Sequence, residues 1–176
     1  MSERLPSREQ ALELLQQNHC PPIVISHCVA VADLALETAR KIENNGFKVD
    51  TKIVEAGALL HDLGRSKTHG VDHAVVGAQI AQELGLPEPI IRIIKRHVGG
   101  GITAAEADAF GWPKDVYVPE TLEEKIVSYA DKLISNSKRM PITVEVRSLI
   151  SEGKEAAAER VRNLYDEISN LLDATK

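Results

Sequence analysis

Aromatic residues are scarce in this 176-residue chain, which has one tryptophan, three tyrosines and two phenylalanines. Cysteine is scarcer still: Cys20 and Cys28 lie eight residues apart and form neither a CxxC pair nor a disulfide framework. That usage points to a reducing, cytoplasmic setting. No apolar run approaches the roughly 20 residues that a bilayer-crossing helix needs, so the sequence predicts no membrane span. The opening MSERLPSREQ mixes acid and base with no long apolar segment behind it and does not read as a secretory signal. Positive charge is not in excess either, since 21 Lys and Arg stand against 26 Asp and Glu for a formal net charge of −5. With few rings to stack on bases and no basic surplus, the chain lacks the usual footprint of a dedicated nucleic-acid binder.

What the chain has is helical apolar periodicity. Hydrophobic residues make up 43% of it, enough at this length for a real core, and no repeat or linker divides it. The expectation is a single all-α domain over residues 1–176 with about seven to eight helices. Ser7 and Gln10 have capping-box spacing and open a first helix that ends near His19, before Pro21 and Pro22. A second runs from about Ile23 to Asn44, and a third, KIVEAGALLHDLG, runs from about Thr51 to Gly64 with almost no polar face. Asp72 is placed to cap a helix over about His73 to Leu84, and the next, about Glu88 to His97, is cut by Gly99, Gly100 and Gly101. Thr103 with Glu106 and Thr121 with Glu124 open two more, the second expected to run on to Pro141. C-terminal helices fill 143–173. Their stripe of Val161, Leu164, Tyr165, Ile168, Leu171 and Leu172 either closes the core, the simpler reading, or pairs with a second subunit as a homodimer.

The six histidines then need an explanation. His27 shares a helix face with Val24, Val31 and Leu34, His73 with Gly77, Ile80 and Leu84, and His97 with Ile90, Ile93 and Ile94; Asp131 lies with Val127 and Ile134. His61 and Asp62 end the most hydrophobic helix, where a carboxylate meets the negative end of the helix dipole unless a cation lies beside it. One inward histidine is ordinarily a satisfied core imidazole. Six inward groups, His27, His61, Asp62, His73, His97 and Asp131, exceed the partners a small interior offers, and a metal would satisfy them together. His19 reads as a helix C-terminal cap, and His69 is set aside because Gly70 interrupts a helical HxxxH pair.

In order and local context these residues resemble the H…HD…D signature of the HD-domain superfamily of metal-dependent phosphohydrolases: His27, then HDLGR, then Asp131 in YADKL. His73 in DHAVVGA and His97 in KRHVGGG resemble the two further histidines of its binuclear branch. The resemblance covers about Ile23 to Lys138. It is similar to archaeal proteins of the HDIG type, with Leu63 at the isoleucine of that name, and the same order occurs in HD-class symmetrical diadenosine-tetraphosphate hydrolases. No GYP signature of cyclic-di-GMP phosphodiesterases is present.

The resemblance implies one or two divalent transition-metal ions, Fe, Mn, Zn, Ni or Co, with His27, His61, Asp62 and Asp131 on one and Asp62, His73 and His97 on the other. It also implies hydrolysis of a phosphate ester or phosphoanhydride bond in a nucleotide or small phosphorylated metabolite. Arg65 is the best cation for the phosphate, with Asp62 beside it as a catalytic group, and Lys67 and Lys132 are further candidates. Lys95 and Arg96 read as surface charges at a helix C-terminus. Phe110, Trp112 and Tyr117 fall within eight positions of one loop; they form either a cluster that pins it or a lid with Trp112 on a base. Another function shares this ligand order, a di-iron oxygenase acting on a small organic substrate; a nucleotide sensor without catalysis is a third reading, ranked last because its usual sign, loss of one or more ligands, is missing.

Overall fold

The computed structural model describes residues 4–174. Among them are nine α-helices and one two-stranded hairpin, so the all-α expectation holds with one or two helices more than expected. The helices are α1 (Arg8–Gln17), α2 (Pro22–Asn44), α3 (Thr51–Leu60), α4 (His73–Glu83), α5 (Glu88–Arg96), α6 (Ala104–Ala109), α7 (Leu122–Lys132), α8 (Ile142–Ser151) and α9 (Glu155–Asp173). All three capping boxes form: the Ser7, Thr103 and Thr121 side chains accept from the backbone N–H three residues on, and Gln10, Glu106 and Glu124 answer.

Helix α3 is the hub. It packs against α1, α2, α5 and α7, which is why its sequence has no polar face. Leu59, Leu60, Val31, Ile42, Ile90, Ile93, Ile94 and Ile126 fill the centre of the main core with almost no exposure. The C-terminal stripe turns inward: Ile168 is fully buried and Leu164 nearly so, while Tyr165, Leu171 and Leu172 pack on the same core. Most of the stripe thus packs on the main core of its own chain. Helices α8 and α9 share a smaller core of Val146, Leu149, Ala157, Ala158 and Val161.

Helix α2 is long and apolar enough to cross a membrane by length and composition, which the sequence reading did not allow for. Its apolar face is occupied: Val24, Cys28, Val31, Ala35 and Ile42 are buried, against α3, α7 and α9.

Four expectations need correction. The third helix does not reach Gly64 but ends at Leu60, and the chain continues through a 3-10 turn, Leu63–Ser66. The seventh does not run to Pro141. It stops at Lys132, and Ile134–Ser135 (β1) pairs antiparallel with Lys138–Arg139 (β2) around Asn136 and Ser137, both at positive φ. Asn, which tolerates the left-handed region better than most side chains, was the available signal for this turn. Asp72 makes no side-chain cap to α4; its carboxylate accepts instead from the Trp112 indole N–H at 2.6 Å. Arg96 is not a surface charge. It is 5% exposed and donates to the Val116 carbonyl, Glu120 and Glu124. Its neighbour Lys95 pairs with Asp115.

Candidate metal centre

Five helices deliver the six side chains to one place. His27 comes from the second turn of α2, His61 and Asp62 from the end of α3, His73 from the start of α4, His97 from the end of α5 and Asp131 from the last turn of α7. The early stop of α3 matters here. His61 is the last residue with helical backbone, and Asp62 opens the 3-10 turn that lies against α4. That approach depends on glycine. A Cβ on Gly64 would sit 1.9 Å from the His73 carbonyl oxygen and 2.6 Å from the Gly77 nitrogen, and one on Gly77 would sit 2.9 Å from the Gly64 nitrogen. Both obstacles are backbone, so Gly64→Ala must push the turn off α4 and carry Asp62 from His73. We expect a loss of about 1–3 kcal/mol or more in thermal unfolding, with metal affinity falling alongside; an alanine variant with unchanged Tm would show that the turn can shift freely.

Three of the rings are oriented by backbone carbonyls. His61 Nδ1 donates to the Ala58 carbonyl at 2.7 Å, His73 Nδ1 to Gly70 at 2.7 Å and His97 Nδ1 to Ile94 at 2.8 Å. A carbonyl only accepts, so each Nδ1 carries a hydrogen, and a neutral ring then presents the bare lone pair of Nε2 to the interior. Two such nitrogens, His73 Nε2 and His97 Nε2, face each other at 3.1 Å. Asp62 Oδ1 lies 3.2 Å from the first and 3.5 Å from the second. Its other oxygen, Oδ2, lies 3.7 Å from His61 Nε2 and 3.9 Å from His27 Nε2. Asp131 Oδ1 closes that side, 3.0 Å from His27 Nε2 and 3.4 Å from His61 Nε2. The carboxylate of Asp62 therefore divides its two oxygens between two sets of histidines.

Lone pairs and carboxylate oxygens this close repel one another unless positive charge lies among them. His61 Nε2 and Asp62 Oδ1 are buried with no hydrogen-bond partner. The ligand atoms of His27, His61 and Asp131 lie within 4.8 Å of one another, as do those of His61, Asp62 and His97. These groups could hold a metal, and imidazole with carboxylate is the donor set that first-row transition metals prefer.

Electrostatics leave both carboxylates and His97 in the forms a metal takes, and leave on His61 a proton that a metal would displace. Burial works against ionising Asp62, but the surrounding imidazoles, His61 foremost, hold its carboxyl well below the ordinary range. Burial likewise opposes the Asp131 charge, and Lys132, His27 and His61 outweigh it. Burial lowers His97 to about 4, so its ring is neutral at neutral pH. His61 is pressed down by burial and drawn up by Asp62, ending well above its usual value.

The predicted cations divide. Arg65 Nε donates to Asp62 Oδ2 at 2.8 Å and Lys132 Nζ to Asp131 Oδ2 at 2.5 Å, so each carboxylate has a cation on one oxygen. Arg65 is 30% exposed at a mouth also lined by Ile23, His27, Asp62, His69 and Asn136. Lys67 is exposed beyond the 3-10 turn. His69 lines that mouth, and its carbonyl accepts from Arg65 Nη1; His19 follows the end of α1 at positive φ, as a C-terminal cap would. Trp112 is 8% exposed, packed between Phe110 and Tyr117 with its N–H on Asp72; Trp112 and Tyr117 pin the loop as a cluster with Ala74, Ile102 and Ala107, and Phe110 lies outside that cluster against Trp112. Two groups that sequence reasoning missed support the centre from behind. Ser128 Oγ donates to the His97 carbonyl at 3.0 Å, and buried Arg96 ties the end of α5 to α7. The clue to Arg96 was the Glu124 that also answers the Thr121 cap, a carboxylate placed to bind both.

Comparison with known proteins adds five findings. The family model of the HD domain matches residues 24–136. An uncharacterized protein of Methanocaldococcus jannaschii is 47% identical over 93% of this chain and 98% of its own length. A tRNA (cytidine(56)-2'-O)-methyltransferase of Thermoplasma volcanium is 38% identical over 96% of this chain, which spans only 48% of that relative; a Ribonuclease Y of Parafrankia is 29% identical over 83% of this chain and 28% of its own length. Among solved structures, the HD domain of the L. monocytogenes phosphodiesterase PgpH in complex with cyclic-di-AMP superposes with a TM-score of 0.57 at 19% identity, covering 94% of this chain and 98% of that one.

Proposed function

The chain belongs to the HD domain family, and we propose that it is a metal-dependent phosphohydrolase that cleaves a phosphate ester bond in a nucleotide. The observation that carries this reading is the divided carboxylate of Asp62, with Oδ1 toward His73 and His97 and Oδ2 toward His27 and His61. In this proposal His27, His61, Asp62 and Asp131 would hold one ion, and Asp62, His73 and His97 a second. Divalent ions there would supply Lewis acidity toward a phosphoryl oxygen and water acidic enough to attack at neutral pH.

The chain's own residues do the rest. The carbonyls of Ala58, Gly70 and Ile94 fix three rings with Nε2 inward. Arg65 holds Asp62 by Nε and the His69 carbonyl by Nη1, and keeps Nη2 at the open mouth, where a guanidinium suits a phosphate. Lys132 holds Asp131 by Nζ. Phosphate chemistry is also what the names Ribonuclease Y and phosphodiesterase support. The methyltransferase relative extends to about twice the matched span, and a cluster of four histidines and two aspartates does not suit methyl transfer.

Arg65→Ala should keep its metal, since no ligand is lost, and lower kcat/KM by about 10- to 100-fold, the usual cost of removing an outer partner of a ligating carboxylate. Elemental analysis beside the kinetics checks both halves. The reading as a whole is tested by a phosphate-release screen over mononucleotides, cyclic nucleotides and dinucleotides on the metal-loaded protein. Hydrolysis is expected; oxygen consumption by the iron-loaded protein with no phosphate released would overturn it.

A further inference from the structure

A cavity of about 560 Å³ meets the candidate centre at Lys132. Val98 and Gly99, which follow His97 directly, form one wall, and Leu149 and Ala157 of the α8–α9 pair form another. Lys132 belongs to both places: its ammonium is bonded to Asp131, and its side chain lines the cavity. Phe110 stands at the rim, 46% exposed, with its ring 5.3 Å from Trp112. Because Trp112 is held by Tyr117 and Asp72, Phe110 is an aromatic face backed by a fixed platform and open on its other side.

The charges of the cavity are unevenly placed. Arg160 is spent on both oxygens of Glu106 and on the Gly101 carbonyl, and Lys154 is paired with Glu152. Glu145 and Glu155 add negative charge to the lining. Lys132 is paired as well, but with Asp131, which makes it the cation beside the centre; Glu145 and Glu155 are the charges of the lining not paired with one of its cations. Such a lining repels a chain of phosphates and accepts a neutral group rich in hydroxyl and amino donors.

We propose, on the phosphohydrolase reading above, that this cavity receives the nucleoside part of the substrate. The base lies on Phe110, the sugar hydroxyls lie toward the carboxylates, and a single phosphate lies at Lys132 and the centre. The substrate class is then a nucleoside monophosphate unit, as the free ester or the end of a diester, and not a nucleoside triphosphate.

The test is a calorimetric titration of the intact protein and of Phe110→Ala with a nucleoside monophosphate, the matching triphosphate and ribose 5-phosphate, beside hydrolysis of the same compounds. The fluorescence of Trp112, the sole tryptophan, gives a second binding signal from behind Phe110. The expected result is that the monophosphate binds more tightly than the triphosphate. Phe110→Ala should weaken the monophosphate about 5- to 100-fold, the cost of one lost base stack, and leave ribose 5-phosphate unchanged. Because Phe110 is half exposed, the variant should fold; an unchanged Tm checks this. Equal monophosphate binding by both proteins, or tighter binding of the triphosphate, overturns the proposal. If binding follows Phe110 while no phosphate is released, the cavity assignment stands and the phosphohydrolase reading falls. If phosphate is released equally by both proteins, the reverse holds.

Discussion

Replacing Asp62 with alanine should remove bound metal and lower turnover by more than about 100-fold, beyond the usual cost of losing an outer partner. The Asp62 carboxylate faces both sets of histidines: its oxygens lie 3.2 and 3.5 Å from His73 and His97 and 3.7 and 3.9 Å from His61 and His27. The fold should survive, because the cation left behind, Arg65, is 30% exposed and can turn to water. Asp62→Asn separates charge from shape. It keeps the volume and one oxygen but loses the negative charge, and it should bind metal weakly and turn over slowly while its circular dichroism matches wild type. Elemental analysis and steady-state kinetics on both variants provide the check; full metal content and full activity in Asp62→Ala would mean that the centre lies elsewhere.

Arg96→Met is expected to cost about 3–5 kcal/mol, the range for stripping one partner from a buried ion pair. That is a large part of the roughly 5–15 kcal/mol that holds a domain together. The loss falls on Glu124, which is 3% exposed and would keep its charge without a counter-ion. Thermal or denaturant unfolding measures it. Arg96→Met/Glu124→Gln should recover much of the loss, because glutamine still accepts from the backbone at the start of α7 and needs no cation. A single variant as stable as wild type would show the pair to be dispensable. Since Arg96 precedes His97 and binds the helix that carries Ser128 and Asp131, the single variant should also weaken metal binding, whereas an exposed charge would leave it alone.

The parts of this molecule legible in the sequence are those set by local rules. Capping boxes at Ser7, Thr103 and Thr121 are short-range hydrogen bonds between residues three apart, and they form as spaced. The inward histidines could be read because each stood alone in an apolar stripe, and one stripe on each of five helices can only converge. What escaped depends on meetings between distant segments. Arg96 was read from its own helix end, where a cation is at home; its burial is decided by Glu120, Glu124 and the Val116 carbonyl, more than 19 residues further on. Gly64 was read as a stop signal. Its role is to let the 3-10 turn touch the α4 backbone, which no property of residues 51–64 announces. The hairpin at Asn136 and Ser137 was hidden inside a pattern that apolar spacing alone would have continued as helix. Asp72 shows the same competition on a smaller scale: a residue suited to capping is taken by the Trp112 indole, 40 positions away.

Removing the metal from the purified protein with a chelator and then restoring a single divalent ion such as Mn²⁺, while following phosphate release from a nucleotide ester, tests the central claim most directly. Hydrolysis should disappear with the metal and return with it, and protein carrying Asp62→Ala should show neither response. Hydrolysis that continues undiminished in the chelated protein, or a chain with all six side chains intact that takes up no divalent ion, would contradict it.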